Sequence, residues 1–226
     1  MDAVSFHIGT NDTVEEILPV IKDNSKEYQT AIVDTNNPAI LLELQKIGFR
    51  FIECTLSLTA TADVVHIPDN LRRFQSQMTY RPASDDEIKM VREIVGNGEI
   101  FKNDKISLDP FFGRKKSGIR YSFWIDDLIN NGNTLFVITF KDEIIAFEVA
   151  GMLKDVVEYY IGGMLPCKTG KMLGAAISVP GTLYWKDRGA KSFKTVVSSN
   201  NPSILRVHQS FGFDVTDCKY VLIRHN

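Results

Sequence analysis

One segment of this chain occurs twice. Residues 33–54 read VDTNNPAILLELQKIGFRFIEC, and residues 197–218 read VSSNNPSILRVHQSFGFDVTDC. They align without a gap at an offset of 164, with ten identities in 22 positions. Val33, Asn36, Asn37, Pro38, Ile40, Leu41, Gln45, Gly48, Phe49 and Cys54 are matched by Val197, Asn200, Asn201, Pro202, Ile204, Leu205, Gln209, Gly212, Phe213 and Cys218. Two copies are too few for a solenoid, so the chain reads as two related halves. In each, a β-rich run ends in Asn-Asn-Pro, where Asn caps a helix and Pro occupies its first turn. About three turns later Gly48 or Gly212 stops the helix in a conformation that glycine adopts cheaply. Another β-rich run follows, so each copy is strand–helix–strand.

Around these copies the pattern predicts strands near 3–8, 28–34 and 50–58 and helices near 13–22 and 38–47, a small α/β unit over 1–60. Residues 61–75 lack periodicity and read as a linker. From 76 to 226 the signals run β-α-α-β-β-β-α-β-α-β. Ser84 to Glu87 announce a helix. Residues 97–117 look loop-rich, and Tyr121, Trp124, Ile125, Leu128 and Ile129 share a helical face. Three strand runs, 134–140, 142–153 and 156–165, are joined by tight polar turns, and a helix reaches about Arg188. The expected class is α+β: a mixed, mostly antiparallel sheet flanked by helices, preceded by a small α/β half-domain related to the C-terminal strand–helix–strand.

Lys plus Arg number 26 and Asp plus Glu 28, a net charge of −2 that offers no overall basic surface for nucleic acid. No apolar run approaches a membrane span, and the first residues carry acids where a signal peptide carries lysines. Cys54, Cys167 and Cys218 are scattered, which fits a reducing cytoplasm, small buried side chains and no metal. A cytoplasmic protein is expected, without membrane or nucleic-acid partners.

The turn Pro166-Cys167-Lys168-Thr169-Gly170-Lys171-Met172-Leu173-Gly174-Ala175 joins a strand ending at Met164-Leu165 to a helix. A glycine-bearing strand-to-helix turn offers unpaired N–H groups and the positive end of a helix dipole, here with two lysines, to a diphosphate. It is neither a P-loop nor a dinucleotide fingerprint.

In this context the sequence resembles the GNAT superfamily of acyl-CoA N-acyltransferases over roughly residues 76–226. Pro166 leads the family's Pro-x-x-[Arg/Gln]-x-x-Gly-x-[Gly/Ala] loop, Gly174 takes its second motif glycine, and Asn201 and Gly212-Phe213 take the later Asn and Gly-Phe positions. Thr169 and Met172 stand at the Arg/Gln and first glycine positions, and His208 stands where the family usually has Tyr. The resemblance implies acetyl-CoA in the splay between the strand ending at Leu165 and the strand near 193–199. It implies contacts from Met164, Leu165, Lys168, Thr169, Gly170, Lys171, Met172, Leu173, Gly174, Ala175 and Asn201. Leu44 stands opposite His208 in the repeat, so the imidazole is the position that differs from scaffold. As imidazolium or through its neutral N–H, His208 is the expected donor to the leaving thiolate. Glu148 and Glu158 are the expected bases, and N–H groups beside Met164 and Leu165 the expected polarisers of the thioester carbonyl.

The run Asp109-Pro110, Tyr121, Trp124-Ile125, Gly132 is similar to the dTDP-fucosamine (dTDP-4-amino-4,6-dideoxygalactose) acetyltransferase branch. That implies a small amine acceptor, a nucleotide-linked amino sugar, near Phe111, Phe112, Arg114 and Tyr121. Two other readings are weighed: a catalytically idle CoA-binding or scaffolding module, and a protein or peptide N-acetyltransferase. The latter predicts an open acceptor groove rather than one narrowed by a 105–120 loop. Residues 1–60 either extend the sheet, cap the acceptor side or form a homodimer contact.

Overall fold

The structure is a computed structural model describing residues 2–167 and 173–226. Its strands are β1 (Ala3–Ile8), β2 (Tyr28–Asp34), β3 (Arg50–Thr61), β4 (Met78–Pro82), β5 (Thr134–Phe140), β6 (Glu143–Leu153), β7 (Val156–Met164), β8 (Ser192–Ser198) and β9 (Asp214–His225). Its helices are α1 (Val14–Lys22), α2 (Pro38–Lys46), α3 (Asp85–Gly96), α4 (Lys105–Leu108), α5 (Gly113–Asn130), α6 (Ser178–Asp187) and α7 (Pro202–Ser210). The described strands form one sheet in the order β1-β2-β9-β3-β8-β7-β6-β5-β4. It is antiparallel except for β1–β2 and β7–β8. The expected mixed, mostly antiparallel α+β architecture is what the chain adopts.

Helices α1, α2, α6 and α7 cover one face, and α3, α4 and α5 the other. Under α6 and α7 lie Leu58, Phe136, Ala150, Val157 and Phe193, and under α3 and α5 lie Val137, Phe147, Val149 and Ile161. Alternate strand residues thus serve two apolar layers, as a sheet buried on both faces requires.

The two repeat copies interlock. β9 of the second copy lies between β2 and β3 of the first, and β3 lies between β9 and β8. The pairs Leu56↔Cys218 and Cys54↔Tyr220 exchange under the offset of 164, so a local twofold passes through Thr55↔Lys219. Tyr28↔His225 and Thr61↔Ser192 are related in the same way. Asn37 caps α2 through Ile40 N–H at 3.5 Å, and Asn201 caps α7 through Ile204 N–H at 3.4 Å. Gly48 and Gly212 stop those helices at φ 95° and 94°. The likeness extends past the repeated segment: β1-α1-β2-α2-β3 and β7-α6-β8-α7-β9 are the same topological unit. The hydrogen-bonded sheet therefore runs without a break across the division of the chain at 61–75.

Several expectations need correction. Residues 97–117 are loop over more than half their length, as expected, but they also hold α4, and α5 begins at Gly113, well before Tyr121. Ser117 and Gly118 are buried where α5 meets the Val95–Gly98 turn, and Gly118 lets the backbones approach: a Cβ there would stand 2.5 Å from Gly98 N. This tertiary contact sustains helix through GRKKSG, which local pattern alone does not favour. Residues 61–75 begin with the last residue of β3 and hold a 3₁₀ helix, Asp69–Phe74. The cysteines are half-buried rather than buried. Burial and the neighbouring Cys218 thiol push Cys54 up to about 11.

Candidate active site

The N-terminal unit provides an internal control for the C-terminal one. β1 and β2 pair along six residues, from Ala3↔Tyr28 to Ile8↔Val33. The equivalent pair, β7 and β8, matches only from Val156↔Ser192 to Tyr159↔Thr195 and then separates. The cause lies in β7. Its register against β6 jumps from Tyr159↔Ala150 to Ile161↔Val149, so Tyr160 is a bulge. A bulge bends and twists the strand that carries it. Beyond it β7 runs on to Met164 beside β6, while β8 runs to Ser198 beside β3. The sheet splits into a V.

The inner edge of that V carries oriented backbone groups. Leu165 N–H donates to Ile145 O at 2.8 Å, and Met164 lies opposite Ala146. In an antiparallel ladder that makes Met164↔Ala146 and Gly162↔Glu148 the pairs whose N–H and C=O point outward. The amides of Met164 and Gly162 face the splay, and the Leu165 amide, expected to serve there, is already taken. Gly162 was missed by sequence reasoning. The signal was the Gly162-Gly163 pair inside a strand, which marks a bulge or a close backbone approach. Gly163 supplies the approach: a Cβ there would stand 2.7 Å from Ile100 Cγ2. Asn103 O accepts from Ser198 Oγ at 3.3 Å. The segment from Ile100 to Asn103 thus spans from β7 to β8 across the α5 face of the V.

The helices after the first strands also differ. Five residues join β1 to α1, and α1 is closed by a capping box in which Thr13 and Glu16 satisfy each other's amides. Thirteen residues join β7 to α6, and α6 has no side-chain cap. α6 starts later than expected, at Ser178. Leu173 to Ile177 form turns in which Ala176 and Ile177 N–H donate to Leu173 O and Val179 N–H to Ala176 O. Leu173 is buried and Ala175 packs against the same core. Gly174 is exposed, and a Cβ on it would meet nothing within 4 Å. Lys168, Thr169, Gly170, Lys171 and Met172 lie outside the described residues.

Asn201 follows the same contrast. Asn37 Nδ2 donates to Gly9 O and Asp12 O at 3.0 and 2.9 Å, tying α2 to the short β1–α1 turn. Asn201 Nδ2 has no such partner among the described residues.

His208 projects from α7 on the α6 face, half-buried, with its ring 5.1 Å from that of Phe213. Leu44, its repeat counterpart, is fully buried. Burial holds His208 down at about 4. At neutral pH it is therefore an uncharged imidazole, which removes the imidazolium form from the expected roles and leaves the neutral N–H.

The two expected bases stand on opposite faces. Glu148 lies under α6, where Tyr80 O–H donates to its Oε2 at 2.9 Å and a Cβ on Gly181 would stand 3.0 Å from that same oxygen. Burial raises Glu148 to about 7, against the opposing hydrogen bond from Tyr80. Glu158 is exposed on the α5 face, where Tyr160 O–H donates to its Oε2 at 3.1 Å and Lys194 is its cross-strand neighbour. Above β8 that face is open, with Val196 57% exposed.

The expected acceptor residues do not converge on the splay. Phe112 stacks edge-on to Tyr28 at 4.8 Å, and Phe111 lies 4.6 Å from His225, whose Nε2 is 2.7 Å from Asp109 Oδ2. These are contacts at β2 and β9, which β3 separates from β8. Arg114 is exposed in the first turn of α5. Tyr121 alone faces inward, with its ring 4.2 Å from Phe101.

No family model and no curated protein matches the sequence. Solved structures do match its fold. A Staphylococcus epidermidis protein described as functionally unknown superposes with a TM-score of 0.64 at 12% identity, over 99% of this chain and 84% of that one. A GCN5-related N-acetyltransferase from Sphaerobacter thermophilus gives 0.55 at 13% identity, over 88% and 59%. A GCN5-related glucosamine N-acetyltransferase region of a fungal β-N-acetylglucosaminidase gives 0.63 at 11%, over 86% of this chain and 25% of that protein. The fold is that of the GNAT proteins, of which this chain spans a part in the last two cases.

Proposed function

We propose that this chain is an acetyl-CoA-dependent N-acyltransferase acting on an amine. The observation that carries the reading is the contrast between the two halves. Where the N-terminal unit has a closed strand pair, a capped helix and a leucine, the C-terminal unit has a splay, an uncapped helix and a histidine. A closed unit shows that the fold needs none of the three. Outward amides on β7 and a helix N-terminus without a side-chain cap fit a diphosphate-bearing thioester, and His208 is the polar side chain that the first unit lacks.

In this reading the diphosphate of coenzyme A meets the turn before α6, with Gly174 giving clearance, and the pantetheine runs along the Gly162–Met164 edge. Met164 N–H polarises the thioester carbonyl. The amine lone pair attacks that carbon, the C–S bond breaks as the tetrahedral adduct collapses, and the neutral imidazole of His208 donates a hydrogen bond to the departing thiolate. The proton lost by the amine passes to Glu158, the carboxylate on the open α5 face. Glu148, enclosed by Tyr80 and α6, supports the wall instead. The acceptor is a small amine, and the glucosamine-acting fungal relative supports keeping a nucleotide-linked amino sugar as the leading class. The openness of the α5 face at Val196 also favours a peptide acceptor.

The test is turnover of acetyl-CoA against panels of amino-sugar nucleotides and of peptide amines, beside a thermal-shift measurement with coenzyme A alone. The proposal expects a raised melting point and acetylation of one panel, with Glu158→Gln lowering turnover roughly 10²-fold. Coenzyme A binding without turnover of any amine identifies an idle binding module instead.

A further inference from the structure

The outer side of α5 leaves large apolar side chains in water. Phe111, just before the helix, and Phe123, within it, are 63% and 62% exposed, and Ile119, one turn before Phe123, is 43% exposed. Cations are interleaved with them: Arg114, Lys115, Lys116 and Arg120 are all exposed. Lys116, Ile119 and Phe123 stand at i, i+3 and i+7, so they share one helical face. Lys116 Nζ lies over the rings of Phe111 and Phe112 at 5.2 and 5.3 Å, which joins Phe111 to the same stripe. Scattered apolar residues need no explanation, but a contiguous apolar stripe rimmed by charge marks an interaction surface.

The acids around this stripe are few and mostly engaged. None stands in the first turn of α5, whose N-terminus has no side-chain cap and adds partial positive charge. Asp109 is buried against His225, and Asp126 is held by Arg92 at 2.5 Å. Glu99, beside Arg114 across the Gly98 contact, is paired with Lys102 at 3.3 Å. Glu53 and Asp104 lie within electrostatic reach of Arg120. Asp127 is exposed at the far end, one turn beyond Phe123. The unbalanced charge is therefore that of Arg114, Lys115 and Lys116, which make no ion pair among the described residues.

We propose that the exposed face of α5 from Phe111 to Phe123 docks on an anionic lipid surface. Phe111, Ile119 and Phe123 enter the headgroup layer, and Arg114, Lys115 and Lys116 meet the lipid phosphates. Charge complementarity and shape select this occupant. A single helix ridge is convex, so it suits a yielding plane better than a small ligand. From Phe111 to Phe123 every exposed residue is apolar or cationic, with no exposed amide or hydroxyl side chain to hydrogen-bond a structured partner. No helix among the described residues is long and apolar enough to cross a membrane, so the contact is peripheral. The net charge of −2 counts the whole chain and conceals the patch, which is how the expectation of no membrane partner arose. The inference goes beyond the acyltransferase reading and does not depend on it.

The experiment is co-sedimentation of the full chain with vesicles of phosphatidylcholine, alone or mixed with phosphatidylglycerol, at low and high salt. The expected result is binding to the mixed vesicles only, weakened by salt and weakened tenfold or more in Lys115→Glu and in Phe123→Ser, with melting points unchanged. Val20→Ser, at a similarly exposed apolar position on α1, should bind as the wild type does. No binding to the mixed vesicles, binding unaltered in Lys115→Glu and Phe123→Ser, or an equal loss in Val20→Ser overturns the proposal. Retention by heparin without vesicle binding identifies a soluble polyanion as the partner and overturns it too.

Discussion

His208→Leu rewrites the second repeat copy as the first, and its effects on stability and activity should run in opposite directions. Leu44 is fully buried at the equivalent place on α2, so the scaffold accepts leucine there. The wild-type imidazole makes no side-chain hydrogen bond among the described residues, so none is lost. Near pH 7.5 the variant should be more stable by about 1 kcal/mol, from half-burying an aliphatic group. The acid limb is larger. Burial holds the folded pKa at about 4 against 6.5, so the unfolded chain binds the proton first. That stability is fully present above pH 6.5 and is lost as pH falls toward 4, a cost of about 3 kcal/mol for the full shift. The variant lacks this cost. Urea unfolding of both proteins between pH 7.5 and 4 should give curves that diverge by about 3 kcal/mol, while acetyl-CoA turnover falls roughly 10²-fold. Parallel stability curves would refute the buried imidazole, and unchanged turnover would remove His208 from the chemistry.

Glu148 titrates in the opposite sense. Its folded pKa of about 7 exceeds the unfolded 4.5, so the folded state loses up to about 3 kcal/mol as pH rises from 4.5 to 7. Glu148→Gln should lack that slope, so the difference between wild-type and variant unfolding curves should change by about 3 kcal/mol over this range, and a flat difference would show that the carboxyl is solvated. Gly174→Trp points into open space, so calorimetry should find coenzyme A affinity reduced tenfold or more with the melting point unchanged. Equal affinity would move the diphosphate elsewhere. Asn37→Ala should destabilise by about 2 kcal/mol, since it frees two carbonyls as well as the cap, and Asn201→Ala by about 1 kcal/mol with a further loss of coenzyme A binding. Equal stability losses would remove the distinction between the two asparagines.

The repeat made much of this molecule legible. Asn-Asn-Pro and Gly-Phe mark both ends of α2 and α7 because capping and helix termination are local events. The alternation in 134–165 likewise gives three antiparallel strands. Interlocking was not legible, because nothing local in β3 states that its neighbours will be β9 and β8, residues more than a hundred positions away. The extent of α5 was hidden for a similar reason, since helix through Arg114 to Ser117 depends on Gly98 and Gly118 allowing two backbones together. At the site, the difference between His208 and Leu44 could be read directly from the repeat. The bulge at Tyr160, the outward amides of Gly162 and Met164, and the placement of Glu148 and Glu158 on opposite faces required the register. A one-residue shift in a strand reverses every side chain beyond it.

A crystal structure of the full chain with coenzyme A bears most directly on the functional reading. The expected density follows the gap between β7 and β8, with the pantetheine amide against Gly162 and Met164, the diphosphate at the turn leading to Ser178 and the sulfur within hydrogen-bonding reach of the His208 ring. Coenzyme A bound to another surface, or the two strands closing like β1 and β2 with the gap left empty, would contradict it.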